Sequence, residues 1–595
     1  MTTQTTDHIA EHYRRNTEQY RHLLKSLEQK EMLYSRLRLL NFLALIPVFF
    51  WWNNIPYPLL FVAGIVFIFL QLVKRHEDIK EDVKVKRFLL RINEEELRYI
   101  TAFHFPDIAF HENAHRERFA ADLDLFGEKS VFHLINRAQT FFGKERLADT
   151  LTAATLTHEE ILQRQEAIRE LASNENFRQL FLAHAHDEAL KSGDLKKMIA
   201  WLGKDDQVPS LKWFSWFRYV WPLFSIGSAY YCWQTENWML FTPVAITAWA
   251  IIARYKKHTD ALSDIISEEN KTLKRYSALF REIEQQAFSS PVLKRLSENA
   301  AEANAALKKL AAVSDKFDSR KNLLGNFLLN TFGLYDLQCI SESEYWKTEY
   351  RAKAASWFQV IGETEMLISA ATFHFNHPAY CFPVPEKSAL HIVSKNLGHP
   401  LIPPQNRISN SVSFTAPQKL FFITGSNMSG KSTFLRSLGI NLILAQCGFP
   451  VCAESFSFTP MKILSSIRVS DSLSENTSLF YAELKQLRAV LDELEKGTPC
   501  FVLLDEILRG TNSADKYHGA YHFIKKMLPH NAMIFFATHD LKLCEMKDEY
   551  PEMTANYRFE GIIENNELHF PYRIEDGIVQ NRTASFLMRQ LKLID

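Results

Sequence analysis

The sequence has no net charge, few cysteines and no dense cysteine framework. Its 595 residues include 69 basic and 69 acidic side chains, and the seven cysteines are scattered without a C-x-x-C motif. Domains that hold nucleic acid by nonspecific attraction usually carry a basic excess, so this balance argues against that class, although it allows a local basic groove. The cysteine pattern predicts neither a disulfide scaffold nor a structural zinc.

Apolar and aromatic residues are abundant. Hydrophobic residues make up 47% of the chain, which excludes intrinsic disorder of the whole protein and allows three or four domains with their own cores. Aromatic residues make up 13%, with 45 Phe and 11 Trp. Most of the tryptophans fall in two short stretches, namely Trp51, Trp52, Trp213, Trp216, Trp221, Trp233, Trp238 and Trp249.

Those two stretches contain four apolar arms without any charged residue. The arms cover residues 39–52 and 59–73, and then residues 219–233 and 238–253. Polar turns at residues 53–56 and 234–237 join them into two hairpins. Each arm has about 15 residues, below the roughly 20 that a full membrane span needs, so length leaves a buried soluble hairpin as the alternative.

The residues that flank the arms favour a membrane. Basic side chains bracket both hairpins, neither turn contains a Lys or Arg, and aromatic rings sit at the arm ends, as the positive-inside rule and the aromatic belt require. These flanking residues are Arg36, Arg38, Lys74, Arg75, Arg218, Arg254, Lys256 and Lys257. We therefore predict two transmembrane hairpins, 37–75 and 211–257, in the cytoplasmic membrane, with their basic flanks contacting lipid headgroups rather than DNA phosphates.

The rest of the chain divides into helical regions and one α/β region. Residues 1–36 and 76–125 have charged helical character, and no signal peptide is expected before the first hairpin, so the amino terminus is expected to be cytoplasmic. Residues 126–210 and 258–385 are also predicted helical. From residue 386 onward, short β-like runs alternate with helices, which predicts a largely parallel sheet and a mixed fold of class α+α/β.

A nucleotide-binding motif opens the α/β region. A β-like run, Leu420-Phe421-Phe422-Ile423-Thr424, precedes a segment that fits G-x-x-x-x-G-K-[ST] and leads into a helix. In this pattern backbone N–H groups cradle phosphates, Lys431 reaches the β- and γ-phosphates and Ser432 ligates Mg²⁺. The predicted nucleotide-binding residues here are Gly425, Ser426, Asn427, Met428, Ser429, Gly430, Lys431, Ser432 and Thr433.

Two further strand ends carry residues suited to hydrolysis. The apolar run 501–504 ends in Asp505 and Glu506, and the run 533–537 leads to Thr538 and His539. We predict that Asp505 binds Mg²⁺ and that Glu506 orients and deprotonates the attacking water. His539 would stabilise the γ-phosphate, and together with Lys431 these residues predict an ATPase.

The motifs of the α/β region resemble those of the MutS mismatch-repair ATPases. Residues 424–433 are similar to T-G-P-N-M-x-G-K-S-T, 446–453 to Q-x-G-x-x-V-P-A, 504–513 to L-D-E-I-G-R-G-T-S-T and 536–539 to F-A-T-H. The resemblance places Gln446 among the cofactor-binding residues. It implies a fold in which a P-loop α/β ATPase domain, here 386–595, follows a helical core and lever.

A further segment, 471–484, resembles the family signature D-x-L-x-x-G-x-S-T-F-x-x-E-M, with Asn476 where the family has Gly. By this resemblance Ser478 would reach the γ-phosphate of a partner subunit, which implies a homodimer with two composite sites. The adenine position resembles F-x-x-N but has Arg407 at the ring position, and Tyr572 stands where a late His would stack. The resemblance therefore implies adenine between Arg407 and Tyr572.

Upstream, residues 130–147 and 164–168 resemble the start of the MutS core, so 126–210 is expected to be core-like and 258–385 lever-like. No segment resembles the mismatch-reading domain, and the second hairpin lies roughly where the family has its DNA clamp. Two hypotheses follow. The chain is a membrane-anchored, mismatch-repair-related ATPase that binds duplex DNA, or it is a membrane mechanochemical ATPase that does not.

One motif points to unrelated chemistry. His111-Glu112-Asn113-Ala114-His115 spells H-E-x-x-H, the zinc-binding pattern of metalloproteases when it lies on a helix. The chain has 21 histidines, so a chance match is common, and Pro106 lies close upstream. We therefore predict no zinc site here.

Overall fold

A computed structural model of the chain describes residues 2–52, 57–106, 118–152, 156–186, 201–202, 213–268, 270–320, 322–387, 389–426, 428–467, 479–508, 512–564, 567–580 and 586. The chain forms two compact units. The first unit consists of Met1–Arg137, Leu147–Glu175 and Met366–Asp595, and the second of Ala138–Arg146 and Asn176–Glu365. The first hairpin thus belongs to the unit that holds the α/β region, and the second hairpin belongs to the other unit.

Helices dominate the first two thirds of the chain. In chain order they are α1 (Thr2–Leu43), α2 (Leu45–Phe50), α3 (Pro58–Ala102), α4 (Arg118–Asp122), α5 (Val131–Ile135), α6 (Phe141–Thr152), α7 (His158–Ser173), α8 (Glu175–Ala185), α9 (Phe214–Gln234), α10 (Thr242–Glu268), α11 (Asn270–Glu284), α12 (Pro291–Ser319), α13 (Leu323–Gly333) and α14 (Tyr335–Asn376). A 3₁₀ turn, Trp238–Phe241, joins α9 to α10.

Where the structure describes it, the C-terminal third contains the strands and four further helices. These elements are β1 (Val384–Pro385), β2 (His391–Leu397), β3 (Asn410–Thr415), β4 (Leu420–Gly425), α15 (Lys431–Gln446), β5 (Ser455–Phe458), β6 (Lys462–Ser466), α16 (Leu479–Leu494), β7 (Cys500–Asp505), α17 (Ser513–Met527), β8 (Ala532–Thr538), α18 (Met546–Glu549), β9 (Thr554–Phe559), β10 (Ile562–Glu564), β11 (Glu567–His569) and β12 (Ile574–Asp576). Two 3₁₀ turns are Pro404–Asn406 and Leu541–Glu545.

In the first unit α1 and α3 form a long antiparallel pair. Arg21 near the middle of α1 pairs with Glu94, and Glu28 further along pairs with Arg87, so the partner number falls as the α1 number rises. Pro at the first helical position suits the start of α3, because proline is preorganised there and its missing N–H is not needed. With 45 residues α3 is about 66 Å long.

The apolar arms of the first hairpin face outward. Phe49 and Phe50 are each 77% exposed, and Leu59 at the start of α3 is 72% exposed. Three helical spans of the described chain are long and apolar enough to cross a membrane, judged by length and composition. They are Asp7–Phe50, Pro58–Ala102 and Trp238–Ile266.

The second hairpin has a small core of its own. Phe214 and Trp221 of α9 pack with Val244, Ala248 and Ile252 of α10. Leu334 and Leu337, which follow α13, complete this cluster. The indole N–H of Trp221 donates to the Thr331 carbonyl at 3.1 Å, so α13 lies against α9.

The C-terminal region is an α/β domain, and the predicted parallel sheet is confirmed. Six strands lie in the order β12-β9-β4-β8-β7-β6, and only β12 runs antiparallel to its neighbour. Strands β4 and β8 are buried at every position, as expected for parallel strands covered on both faces. A second sheet has the order β1-β5-β2-β3, and β10 pairs with β11.

Candidate functional site

Three parallel strands end side by side at one edge of the six-stranded sheet. Thr424 of β4 pairs with Thr538 of β8, and Asp505 of β7 pairs with Ala537 of β8. The residues that follow these strands therefore meet at the same edge. Ligands of open α/β sheets bind at the carboxyl ends of the strands, which makes this edge the candidate site.

The loop between β4 and α15 can be built only with glycine at two positions. A Cβ atom on Gly425 would lie 2.7 Å from the carbonyl oxygen of Phe559 and 2.6 Å from Ser429 Oγ. Gly430 has φ of +103°, in the region that favours glycine, and a Cβ there would lie 3.0 Å from the Tyr572 ring. The loop backbone is thus held close to β9 and to Tyr572.

Lys431 is a nearly buried cation at the start of α15. Its side chain is 6% exposed, and Nζ donates to the carbonyl oxygens of Gly425 at 2.7 Å and Ser426 at 3.0 Å. Burial lowers the pKa of this ammonium to about 8, and the nearby carboxylates of Asp505 and Glu506 oppose the shift. The loop carbonyls hold the cation where it can turn toward a phosphate.

Next to Lys431, two oxygen groups form a pair suited to Mg²⁺. Ser432 Oγ donates to Asp505 Oδ2 at 2.5 Å. A hydroxyl and a carboxylate at this separation fit a hard cation that prefers oxygen ligands and keeps several waters. Ser432 and Asp505 are therefore the residues of this site that could hold the metal.

Glu506 is placed by its backbone and by a lysine. Its φ is +53°, an uncommon conformation for glutamate, and its N–H donates to the Ala537 carbonyl at 3.0 Å. The carboxylate accepts a hydrogen bond from Lys516 Nζ at 3.2 Å. The charge of Glu506 acts on both Lys431 and His539, so its carboxylate lies near them.

His539 follows β8 and touches Lys431. The two side chains are 3.3 Å apart, from Nζ to Nε2. Burial lowers the pKa of His539, and the charge of Lys431 adds to the effect. The imidazole is therefore neutral at pH 7, and Nε2 accepts a hydrogen bond from the ammonium.

A cavity of about 490 Å³ extends from the loop, a volume within the range of small-molecule sites. Beyond the loop residues its walls are Leu397, His399, Ile402, Asn406, Ile408, Asn410, Phe434, Phe559 and Tyr572. Asn410 fixes the Tyr572 segment, because its side chain bonds the Tyr572 carbonyl at 3.1 Å and the Ile574 N–H at 2.9 Å. Burial and nearby arginines lower the pKa of His399 to about 4, so this wall is uncharged.

One observation at the cavity supports a phosphate ligand. Ser426 Oγ is buried and has no hydrogen-bond partner among the described residues. It lines the cavity beside Gly430 and Lys431. A phosphate oxygen in the loop would accept this unused proton, which fits the chemistry that the loop motif predicts.

Residues 421–589 match the family model of MutS domain V. This domain is the ATPase domain of MutS-family proteins, so the match supports ATP binding, ATPase activity and a relationship with mismatch repair. The matched residues include the loop, Asp505, Glu506, His539 and Tyr572. The predicted resemblance to MutS is therefore supported for the C-terminal region, while both hairpins lie outside the match.

The site differs from the sequence prediction at Arg407. This residue is not on the cavity wall, because its guanidinium donates to the Ile402 carbonyl at 3.0 and 2.6 Å. Its backbone is extended, so successive side chains point to opposite sides, and the next residue, Ile408, faces the cavity. Tyr572 lies on the wall, with Ile408 rather than Arg407 in the lining, and its contact with adenine stays a prediction.

Gln446 also lies away from the loop between β4 and α15. It is the last residue of α15, about 22 Å along the helix from Lys431. Its side-chain oxygen accepts a hydrogen bond from the Met461 N–H at 2.7 Å. The predicted cofactor contact is thus replaced by a bond that secures the segment between β5 and β6.

Several predicted positions lie outside the described residues. They include Asn427 in the loop, the signature residues Asn476 and Ser478, and the H-E-x-x-H segment. The composite site between subunits, which depends on Ser478, stays a prediction. Met428 and Thr433 line the cavity, and Ser429 is bonded to the Ser426 carbonyl at 2.8 Å.

Sequence reasoning missed several residues of the site, and four of them show why. Phe559 contributes because β9 lies beside β4, an order that the sequence does not reveal. Lys516 lies in the first turn of α17, which Asn512 caps through bonds to two backbone N–H groups. Only Ile408 and Phe434 carried a local signal, since each is an apolar residue within four positions of a recognised motif.

Proposed function

We propose that this chain is a membrane-anchored, Mg²⁺-dependent ATPase of the MutS type that transmits its nucleotide cycle to long helices. The observation that carries the proposal is the structure of α3. This single helix has an apolar stretch without any buried residue at its start and the buried side chain of Tyr99 near its end. It therefore connects an apolar surface to the unit that contains the nucleotide site.

The nucleotide chemistry follows from the groups at the sheet edge. The base would lie against Ile408 and Tyr572, with the phosphates on the glycine loop and Lys431 turned toward them. Mg²⁺, when bound to Ser432 and Asp505, would neutralise charge on the phosphates. Glu506, held by Lys516, would accept a proton from the attacking water.

The apolar arms support membrane anchoring because they are exposed on both hairpins. Monomeric soluble proteins rarely expose apolar patches of more than a few hundred Å². Here many large apolar side chains are exposed along the arms of both hairpins. They include Leu39, Leu40, Phe42, Phe49, Phe50, Leu59, Leu60, Phe67, Leu70, Leu223, Phe224, Ile226 and Ile246. A lipid layer would cover them.

At its other end α3 is attached through buried polar groups. Glu96 forms a buried ion pair with Arg137 and accepts from Asn376 Nδ2 at 2.7 Å. The Tyr99 hydroxyl lies 2.8 Å from His377 Nε2, and burial lowers the pKa of His377 to about 3. A neutral His377 carries no charge, so hydrogen bonds from its ring nitrogens to Tyr99 and to the Phe373 carbonyl hold this end of α3 in place.

The attachment leads toward the nucleotide cavity. His377 stacks on Tyr380, with ring centroids 4.5 Å apart, and Arg407 lies over the Tyr380 ring at 5.7 Å. Arg407 in turn bonds the carbonyl of Ile402, a cavity residue. We propose that a change in the cavity on nucleotide binding moves these side chains and so moves α3.

Charge substitution in both hairpins tests the anchor. Phe49→Asp and Phe67→Asp in the first hairpin, combined with Phe224→Asp and Ile246→Asp in the second, place two carboxylates of each hairpin in the proposed lipid layer, where each is strongly unfavourable. We expect the variant to leave the membrane fraction in an alkaline carbonate wash, whereas the unsubstituted chain stays. Lys80→Asp with Lys84→Asp on α3 is the control. An unsubstituted chain that is released by carbonate contradicts the proposal.

Duplex DNA is a second candidate partner, and the match of residues 421–589 to MutS domain V favours it. Its test is independent of the membrane. We expect duplex binding that weakens steeply with salt, because contacts to phosphates release counterions. Absence of binding at low salt with ATP present rejects the DNA candidate and leaves the membrane ATPase.

A further inference from the structure

Helix α13 has an apolar surface that no other described element covers. The sequence from residue 322 to residue 335 contains no charged side chain. Leu324 is 75% exposed and Phe327 is 52% exposed, and Leu328 and Leu329 beside them are also exposed. A helix on the surface of a soluble domain turns its apolar stripe inward, so this exposure is opposite to the usual pattern.

The polar residues of α13 face the protein instead. Asn330 is 1% exposed, donates to Asp336 Oδ1 at 3.1 Å and accepts from the Asp336 N–H at 2.9 Å. The Thr331 hydroxyl donates to the Phe327 carbonyl at 2.7 Å and accepts from the Trp249 indole at 3.2 Å. The polar side chains are thus satisfied inside, as polar groups must be in a lipid-exposed helix.

The exposed face of α13 continues the surface of the second hairpin. Ser225 Oγ of α9 donates to the Phe332 carbonyl at 2.9 Å. The Trp249 ring of α10 stacks on Phe327 at 5.9 Å, and Phe241 stacks on Phe332 at 5.4 Å. These contacts align α13 with both arms, so the three helices present one apolar surface.

We propose that α13 lies in the same lipid layer as α9 and α10, as a third membrane element of half length. The inference rests on the membrane anchoring proposed above. Eleven residues span about 16 Å, roughly half of the 30 Å hydrocarbon core, so α13 enters one leaflet without crossing the bilayer.

The ends of α13 support this arrangement. Arg320 precedes the helix and Asp336 follows it, and the two side chains form an ion pair at 3.0 Å. The charged residues on both sides of α13 therefore lie together. Arg320 also pairs with Asp260 of α10 at 3.1 Å, which ties this place to the second hairpin. The Asn322 side chain accepts from the N–H groups of Leu324 and Gly325, both at 3.2 Å, and so caps the helix start.

Spin labels can measure the surroundings of α13 in the full chain reconstituted in phospholipid vesicles. Single cysteines replace Leu324, Phe327 or Leu328, whose exposure leaves room for a label. Phe224→Cys and Ile246→Cys on the hairpin arms are the membrane references, and Leu541→Cys in the α/β region is the aqueous reference. The unsubstituted chain measures background labelling of the native cysteines, and ATPase turnover of each variant checks that it is folded.

We expect labels on α13 to collide readily with oxygen and rarely with a water-soluble nickel chelate, as the Phe224 label does. Access of the chelate equal to that at Leu541 overturns the inference, and low access of both reagents does so too, because protein would then cover the helix. If the labels on α13 are aqueous while Phe224 and Ile246 are in lipid, the anchor stands and only α13 is rejected. Aqueous labels at all of these positions reject the anchor as well.

Discussion

The candidate nucleotide site, at the edge of the six-stranded sheet, and the two hairpins show opposite departures from the usual burial of side chains. At the nucleotide edge Lys431 is a buried cation, whereas at the hairpins Phe49 and its neighbours are large apolar side chains in the open. Folding alone favours neither, because a buried charge and an exposed aromatic ring each cost free energy. Under the proposed function another molecule would complete each region, a phosphate group at the sheet edge and lipid at the hairpins.

Removing the proposed general base, Glu506, from the nucleotide site has the largest expected effect. Glu506→Gln keeps the side-chain volume but cannot accept a proton, so we expect ATP turnover to fall by about 100-fold or more while ATP binding persists. Turnover and nucleotide binding are measured on the same protein. Glu549→Gln, an exposed partner of Tyr521, is the control and is expected to leave turnover unchanged. Equal turnover in Glu506→Gln and the native chain refutes the role of Glu506.

Substitutions in the cavity wall proposed to contact the nucleotide's adenine have the next largest expected effect. Tyr572→Ala removes an aromatic wall, so we expect ATP affinity to fall by about tenfold, the scale of one base stacking contact. Ile408→Ala is expected to weaken binding less. Arg407→Lys is the matched control, since Arg407 does not line the cavity. A larger loss in Arg407→Lys than in Tyr572→Ala would restore the prediction made from the sequence.

The pH dependence of nucleotide binding reports on Lys431. Its pKa is about 8, and contact with phosphate raises that pKa, so binding takes up a proton above pH 8. Affinity is then constant below pH 8 and falls above it, by at most about tenfold per pH unit for one linked proton. Titration with a fluorescent nucleotide measures the curve. Lys431→Arg should flatten it, and the same slope in that variant would exclude Lys431 as the source.

The smallest effect concerns the attachment of α3. Tyr99→Phe leaves His377 without the hydroxyl partner in a buried site, so we expect the free energy of unfolding to fall by about 1 kcal/mol. Urea unfolding in detergent measures the change. Tyr521→Phe removes an exposed hydroxyl contact and should shift the midpoint less. An equal shift in both variants would mean that the contact with His377 adds nothing.

The sequence placed the proposed catalytic groups at one sheet edge because each follows a buried parallel strand, and their chemical roles stay predictions. Once β4, β7 and β8 are adjacent, Lys431, Asp505 and His539 meet without further information. Arg407 was misplaced because side chains alternate along an extended chain, and a one-residue choice decides which side chain faces the cavity. Gln446 was assigned by resemblance, and its distance from the loop appears only when the length of α15 is known.

The role of α13 could not be found in the sequence for a different reason. Its apolar run is shorter than a membrane span and is interrupted by Asn326, Asn330 and Thr331. Whether such a segment lies in a soluble core or in lipid depends on which face is covered. The contacts of Thr331 with α9 and α10 decide this, and they are contacts between distant parts of the sequence.

Flotation of ATPase activity tests whether the chain is a membrane-anchored ATPase whose turnover depends on Glu506. The purified full chain is reconstituted with phospholipid vesicles, washed with carbonate, and separated on a density gradient, and Mg²⁺-dependent ATP hydrolysis is measured in each fraction. We predict that ATP hydrolysis floats with the vesicles and is absent when the Glu506→Gln variant is floated in the same way. Activity that stays with soluble protein at the bottom of the gradient, or floating activity that Glu506→Gln retains, contradicts it.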